Sequence, residues 1–263
     1  MKIKIEYNDK IYGMNSDEGI DISISVKFNE DQNPKFYDTS FPQKKYYKYN
    51  NIEYNVDKGA GCNVPLINMN IHCCGTHTET SNHIFKNGPY ISEILDTNHI
   101  PSQLISIEPR LCLDENYHTK INENDKVITK EQIKQKIEPV NNFELKSLII
   151  RTLPNHNDKI IKNYNNENHA FLSNDAISYI KEIGIKHLLI DTPSIDKYDD
   201  NGKLGNHKIF FLNEKEIPNN NTITEFVFIP DNCKDGNYFL NLGIPKFNLD
   251  AAPSRPIIFP IYP

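Results

Sequence analysis

Apolar and polar residues follow two periods along this chain, and the switches between them mark out strand-like and helix-like stretches. Residues 20–28 (IDISISVKF) alternate, as a strand with one covered face would. Short, nearly continuous apolar blocks occupy 103–107 (QLISI), 145–151 (LKSLIIR), 185–190 (IKHLLI), 225–229 (EFVFI) and 256–261 (PIIFPI). Blocks of this length, rich in Ile, Leu, Val and Phe, predict strands buried on both faces.

Two helices announce their own ends. Thr129 and Gln132 have the spacing of a capping box ahead of KEQIKQKI, and Pro139 prevents that helix from continuing. Ser173 is a good N-cap, Asp175 suits the first turn, Ala176, Ile177, Ile180 and Ile183 share a face, and Gly184 fits the C′ position. The second helix lies between the blocks at 145–151 and 185–190, which predicts a right-handed parallel strand-helix-strand unit. Ligands gather beyond the carboxyl ends of such strands, so the loop Asp191-Thr192-Pro193-Ser194 becomes a candidate site wall.

Composition narrows the class. The 263 residues are 38% hydrophobic and 24% charged, enough for a sizeable core, and with no visible repeat or linker one domain over 1–263 is expected. A net charge of -6 without a basic stripe argues against a nucleic-acid partner. No run of about eighteen apolar residues occurs and mean hydropathy is -0.59, so no membrane partner and a soluble, cytoplasmic location are expected. The five cysteines are odd in number and unevenly spaced, and free thiols are the expectation.

The chemistry concentrates in residues 72–83, HCCGTHTETSNH. His77 and Glu79 are two apart and share a face of an extended segment, Glu79 and His83 are four apart and align on a helical turn, and Gly75 can bend His72 back towards them. Imidazole and carboxylate together suit Zn²⁺, Mn²⁺ or Fe²⁺. A competing reading makes Cys73 or Cys74 a nucleophile with His72 or His77 as base. His99, His118, His156, His169 and His187 stand singly and read as surface or core histidines. Arg151 fits either a substrate carboxylate or a structural ion pair, and the cluster Phe36, Tyr37, Phe41, Tyr46, Tyr47 and Tyr49 either an aryl pocket or a subunit contact.

Gly75-Thr76-His77-Thr78-Glu79 followed by His83 resembles the H-x-G-T-H-x-D-x-P-x-H motif of the metal-dependent kynurenine formamidase and cyclase family. IKHLLIDTPSID at 185–196, the histidine of HKIFF at 207–211, ITE at 223–225 and DAAPSRPIIFPI at 250–261 extend the resemblance over most of the chain from about residue 20. It implies an α/β fold with a mixed sheet and flanking helices, of the swivelling β/β/α type, and a homodimer or higher homo-oligomer. It also implies one or two divalent ions, Zn or Mn, held by His72, His77, Glu79, His207 and Glu225, with His83 in the position of the catalytic histidine. The implied activity is hydrolysis of a small amide. An arylformamidase acting on N-formylkynurenine, in tryptophan catabolism, comes first, a cyclic isatin-like amide second, and a metal-free binding protein on the same fold third. The chain departs from the motif in three places: Cys73 stands where the first histidine is usual, Glu79 replaces Asp, and no proline precedes His83. His72 and Cys73 both remain candidates for the first ligand.

Overall fold

The computed structural model describes residues 1–137, 143–165 and 167–262, and at its centre four parallel strands run through a nine-stranded mixed sheet. In chain order the nine are β1 (Ile20–Asp21), β2 (His77–Thr80), β3 (Ile100–Ile107), β4 (Ser147–Thr152), β5 (His187–Ile190), β6 (Thr222–Glu225), β7 (Gly236–Asn241), β8 (Ala251–Pro253) and β9 (Ile257–Pro260). Their order across the sheet is β8-β2-β6-β5-β4-β3-β7-β9-β1. β3 to β6 are the parallel set, and every strand outside it is antiparallel to its neighbour. Helices α1 (Lys130–Lys136), α2 (Asn174–Glu182) and α3 (Gly205–Phe211) each connect two successive parallel strands. The expected α/β class with a mixed sheet and flanking helices is what the chain adopts, and the predicted unit around α2 is the middle one of three.

The strands explain themselves by their two-residue period. Leu148, Ile150, Leu188, Ile190 and Ile223 meet Ile133, Ala176, Ile177, Ile180, Phe210 and Phe211 of the three helices in one core. Ile149 and Leu189, one position out of step, join Leu104, Tyr238, Leu240 and Ile258 in a second core on the opposite face. Both faces of the parallel strands are therefore dry, which is why they read as unbroken apolar blocks. Fully burying each such side chain contributes roughly 1.5–3 kcal/mol.

Both helix starts form as predicted. Thr129 Oγ1 accepts from the Gln132 amide at 3.3 Å and Gln132 Oε1 accepts from the Thr129 amide at 3.1 Å. Ser173 Oγ accepts from the Ala176 amide at 3.2 Å, and Gly184 adopts the left-handed conformation, φ 84°, just past α2. Pro139 lies outside the described residues.

Two strand predictions need correction. Of residues 20–28 only Ile20–Asp21 join the sheet. Beyond them the amides of Ile24 and Lys27 turn to the side-chain oxygens of Thr76 and Asn33, so the alternation is real but no single neighbour provides a ladder. The block at 225–229 is not a strand either: β6 ends at Glu225, and Phe226 takes a positive φ of 55° that turns the chain. Val227 and Ile229 then fill the second core from a loop. Glu225 thus closes a strand where the sequence suggested that it opens one.

Residues 43–68 form two small hairpins, Gln43–Tyr46 with Pro65–Asn68 and Lys48–Tyr49 with Ile52–Glu53, whose side chains are mostly exposed. Among the described residues no helix is long and apolar enough to cross a membrane.

Candidate metal centre

The antiparallel register of β2 and β6 opposes His77 to Glu225 and Glu79 to Ile223. Because strand side chains alternate, His77, Glu79 and Glu225 share one side of the sheet, while Thr78 and Thr224 pair their hydroxyls at 2.8 Å on the other. His207 arrives from the first turn of α3. The Asp196 carboxylate accepts from the Asn206 amide at 2.9 Å and the His207 amide at 3.2 Å, and it also holds His207 Nδ1 at 2.6 Å. One side chain thereby caps the helix and turns His207 Nε2 inward, the arrangement that orients histidine towards a metal.

The four groups are almost completely buried and close together. His207 Nε2 lies 3.0 Å from Glu79 Oε1 and 3.7 Å from Glu225 Oε1, and His77 Nε2 lies 3.6 Å from Glu225 Oε2. His77 Nε2 and Glu79 Oε1 nonetheless have no hydrogen-bond partner, since the His207 contact has the distance but not the direction of a bond. Orphaned buried polar atoms are costly. Contacts of 3.0 to 3.7 Å between these nitrogens and oxygens are close to the ~3.4 Å that separates donors around a cation at ~2.1 Å, and they suit a divalent ion. The donors of Glu79, His207 and Glu225, and those of His72, His77 and Glu79, lie within 4.8 Å of one another in each group.

The carboxylates behave as a strained pair. Burial pushes Glu225 well above the usual carboxylate range, and the charge of Glu79 adds to the effect. Burial acts on Glu79 in the same direction but is outweighed by His83 and His207, which hold it well below that range. His77, desolvated and near His72, is lowered to about 3 and so presents a neutral ring. A cation among them would let both carboxylates ionise.

Towards solvent the site has a different character. Gly75, at φ 77°, bends the chain before β2, and a side chain there would meet Val26 at 2.8 Å. The bend returns His72, whose Nδ1 lies 3.0 Å from Glu79 Oε2. His83, on a turn capped by Thr80, places Nε2 3.8 Å from the same oxygen. The two rings stack at 4.1 Å between centroids. Asp250, just before β8, reaches both with a single oxygen, Oδ2, at 2.9 Å from His72 Nε2 and 3.2 Å from His83 Nδ1. Burial lowers the pKa of His72, but Asp250 and Glu79 outweigh it and raise it to about 10.

Cys73 packs with Ile24, Phe36, Tyr164 and Phe226 at the border of the site and, among the described residues, belongs to none of the groups of converging donors. Burial, with the charge of Glu225, raises its thiol to about 11, and burial raises Cys74 likewise to about 11. Neither is the activated thiolate that the nucleophile reading needs, and of the two first-ligand candidates it is His72 that meets the cluster. Arg151 is committed to the fold, donating to Ser106, to the carbonyls of Pro230 and Cys233, and to Asp235. Asp191 is buried against Lys159 Nζ at 2.8 Å, so of the two aspartates in DTPSID only Asp196 touches the site. His118 is not solitary: its Nε2 lies 3.1 Å from Asp200 and 3.7 Å from Asp196. Phe36, Tyr37, Pro193, Ser194 and Leu204 join His72, Cys73, Glu79, His83, His207 and Glu225 around an open cavity of about 290 Å³. Asp250 is the participant that sequence reasoning missed. Its one signal is its place at the head of DAAPSRPIIFPI, and nothing local ties it to histidines 167 and 178 residues away.

A sequence model of the family described as Putative cyclase matches residues 20–197. No curated protein matches in sequence. Among solved structures, a protein described as a potential metal-dependent hydrolase with cyclase activity is similar with a TM-score of 0.62 at 19% identity, over 93% of this chain and 98% of the other. A predicted metal-dependent hydrolase from Bacillus stearothermophilus has a TM-score of 0.59 at 19% identity, over 92% and 97%. An isatin hydrolase bound to the product analogue thioisatinate has a TM-score of 0.62 at 15% identity, over 93% of each chain.

Proposed function

The chain belongs to the cyclase family, and from that premise we propose that it is a metal-dependent hydrolase of a small amide whose nitrogen is joined to an aryl ring. The observation that carries this reading is the buried convergence of His77, Glu79, His207 and Glu225, with two polar atoms left without hydrogen-bond partners. His72, His77, Glu79, His207 and Glu225 would hold one or two ions, Zn²⁺ or Mn²⁺. A divalent cation there supplies Lewis acidity towards a carbonyl and acidifies water. The chain supplies the rest. His83 moves a proton at Nε2 towards the leaving nitrogen, within reach of the cluster but still open to the cavity. Phe36 and Tyr37 border the space for a flat ring, and Pro193 and Leu204 limit the water beside it.

An N-formyl aryl amine such as N-formylkynurenine is the first substrate, and a cyclic amide of the isatin type the second, favoured by the likeness to isatin hydrolase. Purified protein should carry or take up Zn²⁺ or Mn²⁺ and hydrolyse one of the two, and chelation should stop it. Turnover after complete chelation overturns the reading, and a chain with no affinity for either ion is a binding protein on the same fold.

The reading includes self-association through the hairpin arm. Tyr47, Tyr49, Ile52, Leu66 and Ile67 are all exposed there. Residues 43–68 carry four lysines against Glu53 and Asp57 in a chain of net charge -6, so a second copy offers the complementary surface. Light scattering should give twice the chain mass or more, and Ile67→Asp should lower it. A wild-type monomer at micromolar concentration removes this part.

A further inference from the structure

We infer that Asp250 is a positioning residue shared by two histidines of different duty, holding His72 for the ion and His83 for the proton. This rests on the hydrolase reading for the two duties, but the positioning itself is a matter of geometry. Asp250 Oδ2 lies 2.9 Å from His72 Nε2 and 3.2 Å from His83 Nδ1, so the nitrogen that each ring turns away from the centre faces the same oxygen. What remains, His72 Nδ1 and His83 Nε2, points at Glu79 Oε2 from 3.0 and 3.8 Å.

Both rings need such a partner. The side chains of His72 and His83 are 26% and 27% exposed, so packing alone leaves them rotational freedom that must be removed for a fixed site. Each meets the cluster at Glu79 and by loose ring contacts, His72 with His77 at 5.2 Å and His83 with His207 at 6.0 Å between centroids, besides the stack of one ring on the other. Asp250 itself is well anchored: its carbonyl accepts from the Thr80 amide at 2.9 Å and from the Thr80 hydroxyl at 3.2 Å, and β8 begins at the next residue. A carboxylate fixed by backbone can orient two rings that are not. It also accounts for the displaced first ligand. His72 lies four residues before Thr76, with Cys73, Cys74 and Gly75 between them, and once the chain bends at Gly75 it is Asp250, with Glu79, that holds the ring over the start of β2.

The test is Asp250→Ala beside Asp250→Asn, which keeps an accepting oxygen in place. Since the backbone contacts stay, both should match the wild-type circular dichroism. In metal-free protein, nuclear Overhauser contacts between the His72 and His83 ring protons should be strong in wild type, lost in Asp250→Ala and partly restored in Asp250→Asn. Zn²⁺ affinity by competition titration should fall about 10- to 100-fold in Asp250→Ala, as for other groups that orient a metal ligand, and less in Asp250→Asn. Persistence of the ring contact in metal-free Asp250→Ala overturns the inference, whatever the protein hydrolyses. Should Asp250→Ala fail to fold, Asp250→Asn decides by the same contact. Wild type that shows the Asp250-dependent contact but binds no Zn²⁺ or Mn²⁺ removes the hydrolase reading and leaves the positioning role standing.

Discussion

The two sides of the site are built by opposite means. On the deep side, His77, Glu79 and Glu225 come from paired strands and His207 from a helix, and none is more than 4% exposed. On the open side, His72, His83 and Asp250 come from a loop, a turn and the approach to an edge strand, and each side chain is about a quarter to a third exposed. His77, Glu79 and Glu225 are placed by the hydrogen-bond ladder of paired strands and His207 by the buried Asp196 carboxylate, whereas the open groups are placed largely by one another. Holding a cation calls for fixed donors in a dry setting, and passing a proton calls for a group that still meets solvent and substrate. The contrast is a division of labour between rigid and adjustable parts.

The sharpest way to break this comparison is His77→Ala, which should abolish metal uptake and turnover together, read by elemental analysis and an amide-hydrolysis assay. If metal remains at full occupancy, the deep side is not the ion-holding side. His83→Ala should lower kcat by about 10²- to 10⁴-fold while metal content stays at the wild-type level. Equal loss of metal in this variant would erase the distinction between the sides.

Acid provides a third handle, through buried histidines off the site. Desolvation lowers both His169 and His187 to about 4, whereas an unfolded histidine titrates near 6.5. The unfolded chain therefore binds more protons in this window, and stability present above pH 6.5 is lost as pH falls towards 4. Each should contribute about 3 kcal/mol of that loss by pH 4. Urea unfolding of metal-free His187→Asn across this range should show a shallower decline than wild type, and parallel curves would exclude the linkage. The smallest effect is expected from Cys73→Ala, which should leave Zn²⁺ affinity within about twofold, because the thiol packs among apolar side chains. A large drop would put Cys73 in the place given to His72.

What could be read from the sequence follows the same line between local and distant causes. The capping box of α1, the N-cap of α2 and the blocks that became β3, β4, β5 and β9 are written in neighbouring residues, and all appear in the structure with shifts of a few residues at their ends. β2 is the opposite case. His77–Thr80 is wholly polar yet buried, and it is a strand because β6 and β8 pair with it on either side. α3 is similarly hidden, since the carboxylate that caps it, Asp196, lies about ten residues upstream and also holds His207. His77 and Glu79 could be named from a motif and its spacing, His207 and Glu225 from the family resemblance, and the four do converge. Asp250 could not, because its reason for being there is two rings brought close only by the finished sheet.

Asp250 also sets a sequence in time. It is made after every other member of the cluster, and the edge strand that fixes it ends in Pro253, which has no amide to offer a further neighbour. A growing chain therefore has all its deep groups translated while the open side still lacks its shared carboxylate. A product cut short before residue 250 would carry the deep residues but lack both the carboxylate that orients His72 and His83 and the strand that flanks His77 and Glu79, so residues made after the deep ones complete the site.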